Sequence, residues 1–260
     1  MTNADTPAGR IRIAYSKTGK IRFTSHRDLA RIWERALRRA EVPVSYSQGF
    51  SPRPRLSFGL ALPTSFESAS EYLDVDVDAD FEDPAEIVDT AALSQCLPVG
   101  MDTIAVWEIP RSSMSLQEAV TSCTWFVEID AASSEVPTGP ADMDALRTEI
   151  LDADTIEITR KRKGRDVIDD VRPMVGDIVS GEPGETGPTL VTELGTKPRA
   201  LRPTDLLAGV RPGLVVRRVR RLHQWINVDG ERVEPLDSAP VAARGQSHAP
   251  QTTRGELCAT

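Results

Sequence analysis

The chain has 260 residues, 40% of them hydrophobic and 27% charged, so it is predicted to bury a core rather than to remain disordered. No apolar run approaches the roughly 18 residues of a membrane span, and the polar N-terminus predicts no secretory signal. The three scattered cysteines form no Cys-x-x-Cys pair, which predicts a reducing, cytoplasmic compartment and no metal site in this chain.

Charge is distributed unevenly along the chain. Residues 1–60 contain 12 Lys and Arg against 4 Asp and Glu, whereas residues 61–150 contain 2 against 19. Residues 151–260 are nearly balanced, with 17 against 16. This asymmetry favours a surface that orients a polyanion, because the basic part attracts phosphate and the acidic part repels it. Mutual attraction of the two parts within one fold is the alternative.

The first predicted elements are two strands and a helix. Alternating apolar residues predict a strand at 10–15, and a Ser-Lys-Thr-Gly turn leads to a returning strand at 20–23, so an N-terminal hairpin is expected. Ser25 is then predicted to cap a helix, with Asp28 as its capping-box partner. The helix is amphipathic because its apolar residues recur at helical spacing, at Leu29, Ile32, Trp33, Ala36, Leu37 and Ala40.

The next segment contains a loop followed by strands and a helix. Pro52 and Pro54 indicate a loop at 47–55, because proline holds its neighbours extended and lacks a backbone donor. Asp83 is predicted to cap a helix that reaches Gln95. Strands are predicted at 56–60, 71–77 and 101–109.

The second half has a similar order of elements. The pattern predicts strands at 125–129, 190–194 and 214–222, helices at 141–151 and 204–207, a hairpin at 155–168, a helical piece near 169–175 and a loop at 180–188. The predicted fold is therefore α+β, with two ferredoxin-like (split βαβ) modules in tandem at 9–110 and 121–225. The first module would carry the hairpin and the proline- and arginine-rich loop, and 229–260 would form a disordered tail.

The arginines of the first predicted helix are a candidate phosphate-binding site. They lie three or four residues apart and form one stripe opposite the apolar face, where each guanidinium can bind two phosphate oxygens. The alternative is a solvated face partnered by Glu34 and Glu41. The stripe consists of Arg27, Arg31, Arg35 and Arg38, with Arg39 at its edge.

Two features flank this stripe. Ser25 and His26 lie at the first turn of the helix, where backbone N–H groups attract anions, so His26 is a candidate phosphate contact or general base. A capping or packing role is the alternative. The loop at 49–55 combines Phe50, which could stack on a base, with Arg53 and Arg55, which could hold phosphates. Alternatively, Phe50 fills the core.

Two other charged runs allow more than one interpretation. The run at 217–221, with the hairpin cations at 161–165, could extend a nucleic-acid track, or it could protect an edge strand. The acidic run from Asp74 to Asp83 lacks the spacing of a calcium loop and is interpreted as a solvated strand face.

Several short motifs lie between residues 22 and 72, at 22–29, 35–40, Pro43, 47–54, 58–59, 62–63, 67–68 and 71–72. Together they resemble the radical-SAM-linked protein family, a bacterial domain of unknown function fused to, or encoded beside, a radical S-adenosylmethionine protein. That family usually reads Gly-Phe-Asn-Pro-His-Pro-Lys where this chain has Gly-Phe-Ser-Pro-Arg-Pro-Arg, so a loop imidazole is absent here. The resemblance implies a partner that carries the iron–sulfur cluster and S-adenosylmethionine, since this chain has no Cys-x3-Cys-x2-Cys motif.

Three functions are compatible with these features. The leading hypothesis is an accessory RNA-binding protein, for tRNA or rRNA, that acts with the radical S-adenosylmethionine partner and is not catalytic on its own. The second is a metal-independent endoribonuclease, with His26 as its base, because tandem ferredoxin-like folds occur in such enzymes. The third is a protein–protein adaptor that docks a basic partner on the acidic strand face.

Overall fold

The computed structural model describes residues 7–162 and 164–237, with the backbone alone at residue 162. The first half consists of β1 (Gly9–Lys17), α1 (His26–Arg39), β2 (Leu56–Phe58), β3 (Glu67–Val77), α2 (Thr90–Gln95) and β4 (Met101–Glu108). The second half consists of α3 (Leu116–Ala119), β5 (Val120–Ile129), α4 (Pro140–Asp152), β6 (Glu157–Arg162), β7 (Arg165–Asp170), β8 (Val175–Ser180), β9 (Thr189–Gly195), α5 (Pro203–Val210), β10 (Val216–Val228) and β11 (Glu231–Val233).

One large sheet runs through both halves. Its strand order is β4-β1-β3-β10-β5-β9-β8, with β2 added to β3 and β11 added to β10. All neighbours are antiparallel except β10 and β3, which pair in parallel where the halves meet, with Arg220 opposite Glu67 and Arg221 opposite Ser68. The β6–β7 hairpin forms a separate two-stranded sheet. The fold is thus mixed α+β around a mostly antiparallel sheet, as the coarse prediction stated.

The core divides into two clusters of buried side chains. In the first, the apolar stripe of α1 packs on β1 and β3, so that Trp33 meets Tyr15 edge to face with ring centroids 4.8 Å apart. In the second, α4 and α5 pack with β5, β8 and β9, and Trp107 of the first half joins them. Because both faces of the first-half sheet are covered, most of β3 is buried, including its polar residues.

The predicted helix after Ser25 is confirmed. Ser25 has extended backbone dihedrals and accepts a hydrogen bond from the Asp28 amide, while the Ser25 hydroxyl donates to the Asp28 carboxylate at 2.8 Å. The loop after the helix is confirmed as well, and it closes through hydrogen bonds from the Ser47 amide to Arg53 and from the Arg55 amide to Ser45.

The predicted N-terminal hairpin is wrong. Residues Gly19–Phe23 form a 3-10 helix rather than a strand returning along β1. The donors at the end of β1 go elsewhere, because the Thr18 amide bonds Gly100 and the Gly19 amide bonds the Glu67 carboxylate. These partners are distant in sequence, so local alternation could not reveal them.

Three other boundaries also differ from the predictions. The helix predicted from Asp83 to Gln95 is split, because Asp89 accepts from the Ala91 and Ala92 amides and caps a second helix inside the predicted one. The piece near 169–175 is helical only at Arg172–Met174, and β8 follows directly. The segment predicted as a tail begins with β11, which pairs with β10, while residues 238–260 lie outside the described part of the chain.

Candidate functional site

The buried face of helix α1 fixes how the helix is oriented about its own axis. Leu29, Trp33, Ala36 and Leu37 are each no more than 6% exposed and pack into the first core. Because side chains three or four positions apart share a helix face, burying this stripe turns the arginines on the other side toward solvent. The helix thus presents its cations as a fixed row.

The arginine row is largely without ion-pair partners. Arg31 contacts Asp28 of the preceding turn at 3.2 Å, and both side chains are about half exposed. The other members are exposed, and within the described chain none forms an ion pair, either with Glu34 or Glu41 or with any other acid. Those four are Arg27, Arg35, Arg38 and Arg39.

The first turn of α1 brings His26 to the edge of this surface. His26 is exposed and contacts Phe58 of β2 edge to face, with ring centroids 5.0 Å apart. It also lines a cavity of about 20 Å³ together with Lys17 and Glu71. A volume of that size holds about one water molecule, so the cavity itself does not accommodate a substrate. The Ser25 hydroxyl is occupied in capping the helix.

The loop at 49–55 starts and ends beside the C-terminal part of α1. Its base packs beside the helix, since Tyr46 and Pro54 line one small cavity together with Leu37 and Arg38. Phe50 at the tip is fully exposed, so the alternative in which Phe50 fills the core is wrong. Arg53 is exposed beside it, whereas Arg55 is half-buried at the base of the loop.

The acidic face of β3 is not the solvated surface that the alternation suggested. Asp74 is buried and accepts two hydrogen bonds from Arg12, at 2.6 and 2.8 Å. Asp76 accepts from Arg10 at 2.6 Å, and this bond raises the pKa of the Arg10 guanidinium. The interpretation of β3 as a solvated acidic strand is therefore wrong at these two positions, because β1 supplies a matching cation opposite each carboxylate.

The arginine run near the C-terminus lies in the interior of the sheet. Strand β10 has neighbours on both sides, so its interpretation as a protected edge strand is wrong. Three of its arginines point to buried glutamates, whereas Arg217 is exposed, so the run does not form a continuous external track. The pairs are Arg218 with Glu128 at 3.3 Å, Arg220 with Glu67 at 2.9 Å, and Arg221 with Glu71 at 2.7 Å.

The junction of the halves contains a buried charge network that the sequence did not predict. Burial raises the pKa of Glu71, while Arg221 opposes that rise, and burial lowers the pKa of Lys17. Lys17 is 2% exposed, and its Nζ lies 3.4 Å from the carbonyl oxygens of Arg22 and Thr24. Arg221 also donates to the carbonyls of Leu60 and Ala61.

Glu67 connects a second set of groups at the same junction. Burial alone would raise the pKa of Glu67, but hydrogen bonds from Arg220 and from the Gly19 amide lower it. Its other contact is Arg22, whose guanidinium also lies over the ring of Phe23 at 4.7 Å. Both Glu67 and Glu71 lie in the segments that carry the family resemblance, and this is the feature of the sequence that could have pointed to them. Their partners on β10 are about 150 residues away in the chain, so local sequence patterns could not show that these glutamates form buried ion pairs.

The β6–β7 hairpin is confirmed, with Arg162 opposite Arg165 and Gly164 in the left-handed region at φ +79°. Lys161 and Arg165 are exposed, but Arg160 is buried and turned toward α5. Lys163 and the side chain of Arg162 lie outside the described part of the chain.

A family model matches most of the chain. The model of a family described as uncharacterized protein conserved in bacteria (DUF2344) matches residues 10–203, which is well over half of the chain. No curated protein matches the chain. Across 7–162 and 164–237, no helix is long and apolar enough to cross a membrane. Over the same ranges, no three His, Cys, Asp or Glu side chains are grouped so that they could hold a metal ion.

Proposed function

We propose that this chain, which belongs to DUF2344, a family of uncharacterized proteins conserved in bacteria, is an accessory RNA-binding protein. The family description names no function, so the support for the proposal comes from the surfaces of the molecule. The observation that carries this proposal is the row of exposed arginines on α1, four of which form no ion pair with any acid among the described residues. Exposed cations at regular spacing on a rigid helix match a phosphate backbone, and their affinity comes largely from counterion release.

The loop at 49–55 supplies the second element of the proposed interface. Single-stranded RNA is commonly bound by stacking its bases on aromatic side chains while arginines hold the phosphates. Phe50 and Arg53 are both exposed on this loop, and the loop base packs against the end of α1. A strand of RNA that follows the row would therefore meet an aromatic ring at its end. His26 would contact phosphate at the other end.

We also infer that each half is a ferredoxin-like unit. The strand order is β4-β1-β3-β2 in the first half and β10-β5-β9-β8 in the second. Within each half, neighbouring strands are antiparallel. A crossover helix follows the strand that comes first in the chain, α1 after β1 and α4 after β5. This is the order that a split βαβ repeat generates. A tandem of such units gives α1 a rigid platform.

The proposed partner is a radical S-adenosylmethionine protein, in keeping with the resemblance carried by residues 22–72. In this arrangement the partner holds the iron–sulfur cluster and S-adenosylmethionine, and this chain presents tRNA or rRNA to it in a modification or processing step. The other two hypotheses have less support. Asp74 and Asp76 of the acidic face are already paired with arginines, which leaves the adaptor less acidic surface, and RNA binding requires of His26 only a phosphate contact.

The proposal is tested by measuring binding of a fluorescent single-stranded RNA, and of a tRNA, by anisotropy across a salt series. If about four phosphates are neutralised, the logarithm of the affinity should fall with the logarithm of salt concentration with a slope of about −3. Phe50→Ala should weaken single-strand binding, and Phe50→Trp should preserve it. Absence of binding at low salt, or binding that does not depend on salt, would remove the basis of the proposal.

The partner is tested separately with a tagged full-length chain recovered from its bacterial host. Recovery of an iron–sulfur protein of the radical S-adenosylmethionine class after nuclease treatment would support a direct contact. Recovery that disappears with nuclease would mean that RNA bridges the two proteins. RNA without any such protein would leave the RNA proposal intact and refute the partner.

A further inference from the structure

A second cationic site lies where the two halves of the molecule meet, and no residue of α1 lines it. A cavity of about 420 Å³ opens between the segment 60–64, strands β5 and β9, and the start of α5. Its walls are partly apolar, with Leu62, Leu194 and Leu201 among the lining residues. A neighbouring cavity of about 560 Å³ continues along β6 and α5, and the two share Arg160, Arg199, Arg202 and Asp205.

The shared wall carries an excess of positive charge. Arg160, Arg199 and Arg202 line both cavities, against one lining carboxylate in common, that of Asp205. Arg160 is only 7% exposed, and its Nε has no hydrogen-bond partner among the described residues. One of its terminal nitrogens donates to the Ala200 carbonyl at 2.6 Å, and another lies 3.8 Å from Asp169.

Burial and repulsion both act on Arg160. Burial, followed by the charge of Arg199, lowers the pKa of Arg160, and the nearby acids Asp205 and Asp169 only partly offset this. A buried guanidinium beside two further arginines is costly because desolvation disfavours the charged form, and Asp169 and Asp205 offset that cost only in part. The site therefore has the electrostatics of a pocket that is completed by a negative ligand.

The start of α5 reinforces this polarity. Pro203 occupies the first turn, and Arg202 at the N-cap makes no side-chain capping bond. The N-terminus of a helix carries a partial positive charge that favours an anion. Here that charge acts without a cluster of free N–H groups, because Pro203 has no amide hydrogen and the Asp205 and Leu206 amides donate to the Arg202 carbonyl. The helix end and the three arginines thus converge on the same shared wall.

We propose that this wall binds the phosphate group of a small phosphate monoester, whose organic portion lies against the apolar lining of the 420 Å³ cavity. The volume suits a ligand of the size of a mononucleotide. The bidentate geometry of guanidinium suits phosphate better than it suits a single-point anion. The site rests on different residues from the RNA-binding surface, so either proposal can fail without the other.

Isothermal titration of the full-length protein with adenosine 5′-monophosphate, inorganic phosphate and adenosine tests the site. We expect saturable binding of the monophosphate, weaker binding of inorganic phosphate and none of adenosine. Arg199→Gln combined with Arg202→Gln should weaken monophosphate binding at least tenfold, because both side chains are exposed cations of the wall. The matched control is Arg217→Gln, which removes an exposed arginine on β10 that does not line either cavity.

The outcomes separate the parts of the proposal. Loss of binding in the double variant, with Arg217→Gln unchanged and the thermal midpoint preserved, supports a phosphate site at the wall. Equal affinity for inorganic phosphate and the monophosphate would overturn the role of the apolar lining. No binding of either, or undiminished binding in the double variant, would overturn the site. Substitution of the α1 arginines should leave monophosphate binding unchanged.

Discussion

Two groups of arginines in this protein look alike in the sequence and have opposite environments. Those of α1 point to solvent, and four of them meet no acid among the described residues. Those of β1, and those of β10 other than Arg217, meet carboxylates, as Arg12 meets Asp74 and Arg221 meets Glu71. The first group is available to a ligand, whereas the second joins parts of the fold that are far apart in sequence.

The difference follows from solvation. An exposed guanidinium remains hydrated and contributes little to stability, so a row of such groups can be kept for binding. A buried guanidinium loses its hydration and must be matched by a carboxylate and further acceptors, as Arg221 is matched by Glu71 and two carbonyl groups. Removing one member of a buried pair is therefore expected to matter more than removing a surface arginine.

The largest effect is expected at the junction of the halves. Arg221→Ala should lower the free energy of unfolding by about 3–5 kcal/mol, because it leaves Glu71 buried without its cation. Urea denaturation followed by circular dichroism measures this change. Arg217→Ala, on the same strand but exposed, should stay within about 0.5 kcal/mol of the parent. Similar losses in the two variants would contradict the contrast between buried and exposed arginines.

The exposed row should show the reverse behaviour. Replacing Arg27, Arg35, Arg38 and Arg39 together by Gln should reduce RNA affinity at least tenfold and flatten its salt dependence, because the phosphate contacts are removed. The free energy of unfolding should change by less than about 1 kcal/mol, since these side chains are exposed. Anisotropy and urea denaturation on the same sample measure both. Unchanged RNA affinity in a folded variant would move the interface away from α1.

A smaller effect is expected at the start of the same helix. Ser25→Ala should cost about 1 kcal/mol, because the Asp28 amide loses its capping acceptor. Ser25→Asp should recover most of that stability, since aspartate also caps helices well. Thermal denaturation of the three proteins provides the comparison. If Ser25→Ala also abolished RNA binding without loss of stability, Ser25 would be a ligand contact rather than a cap.

The smallest effect is expected at His223, whose side chain is neither buried nor fully exposed. His223 Nδ1 is 3.0 Å from Glu234, and this hydrogen bond raises the pKa of His223 in the folded protein. Stability from this pair should be present in full below the unfolded pKa of about 6.5 and lost as pH rises through the higher folded value. The side chain is 45% exposed, so the effect should be small and local to β11.

Amide hydrogen exchange measured across the pH range provides the test, once rates are corrected for intrinsic exchange. Protection of the β10–β11 pairing, including Ile226 opposite Val233, should be greatest on the acidic side. Glu234→Gln should remove that dependence, because the neutral side chain no longer favours the imidazolium ion. A pH dependence that persists in Glu234→Gln would assign it to another group.

The local elements with strong periodicity could be predicted from the sequence. The cap at Ser25, the apolar stripe through Trp33 and the arginine row of α1 all depend on residues within a few positions of one another. The same holds for the β6–β7 hairpin, which turns at Gly164. Local hydrogen bonding and helical spacing fix these features, so no knowledge of distant partners is needed.

Only the tertiary structure decided which charges are buried. The alternation of acidic residues in β3 could not show that Arg10 and Arg12 lie opposite Asp76 and Asp74. The arginine run of β10 likewise could not show which carboxylates pair with it, namely Glu67, Glu71 and Glu128. Strand pairing brings together residues far apart in the chain, and a charged side chain carries no local mark of its partner. The helical spacing in the sequence determined the arginine row of α1, while the sheet order determined that Arg10, Arg12, Arg218, Arg220 and Arg221 pair with carboxylates within the fold.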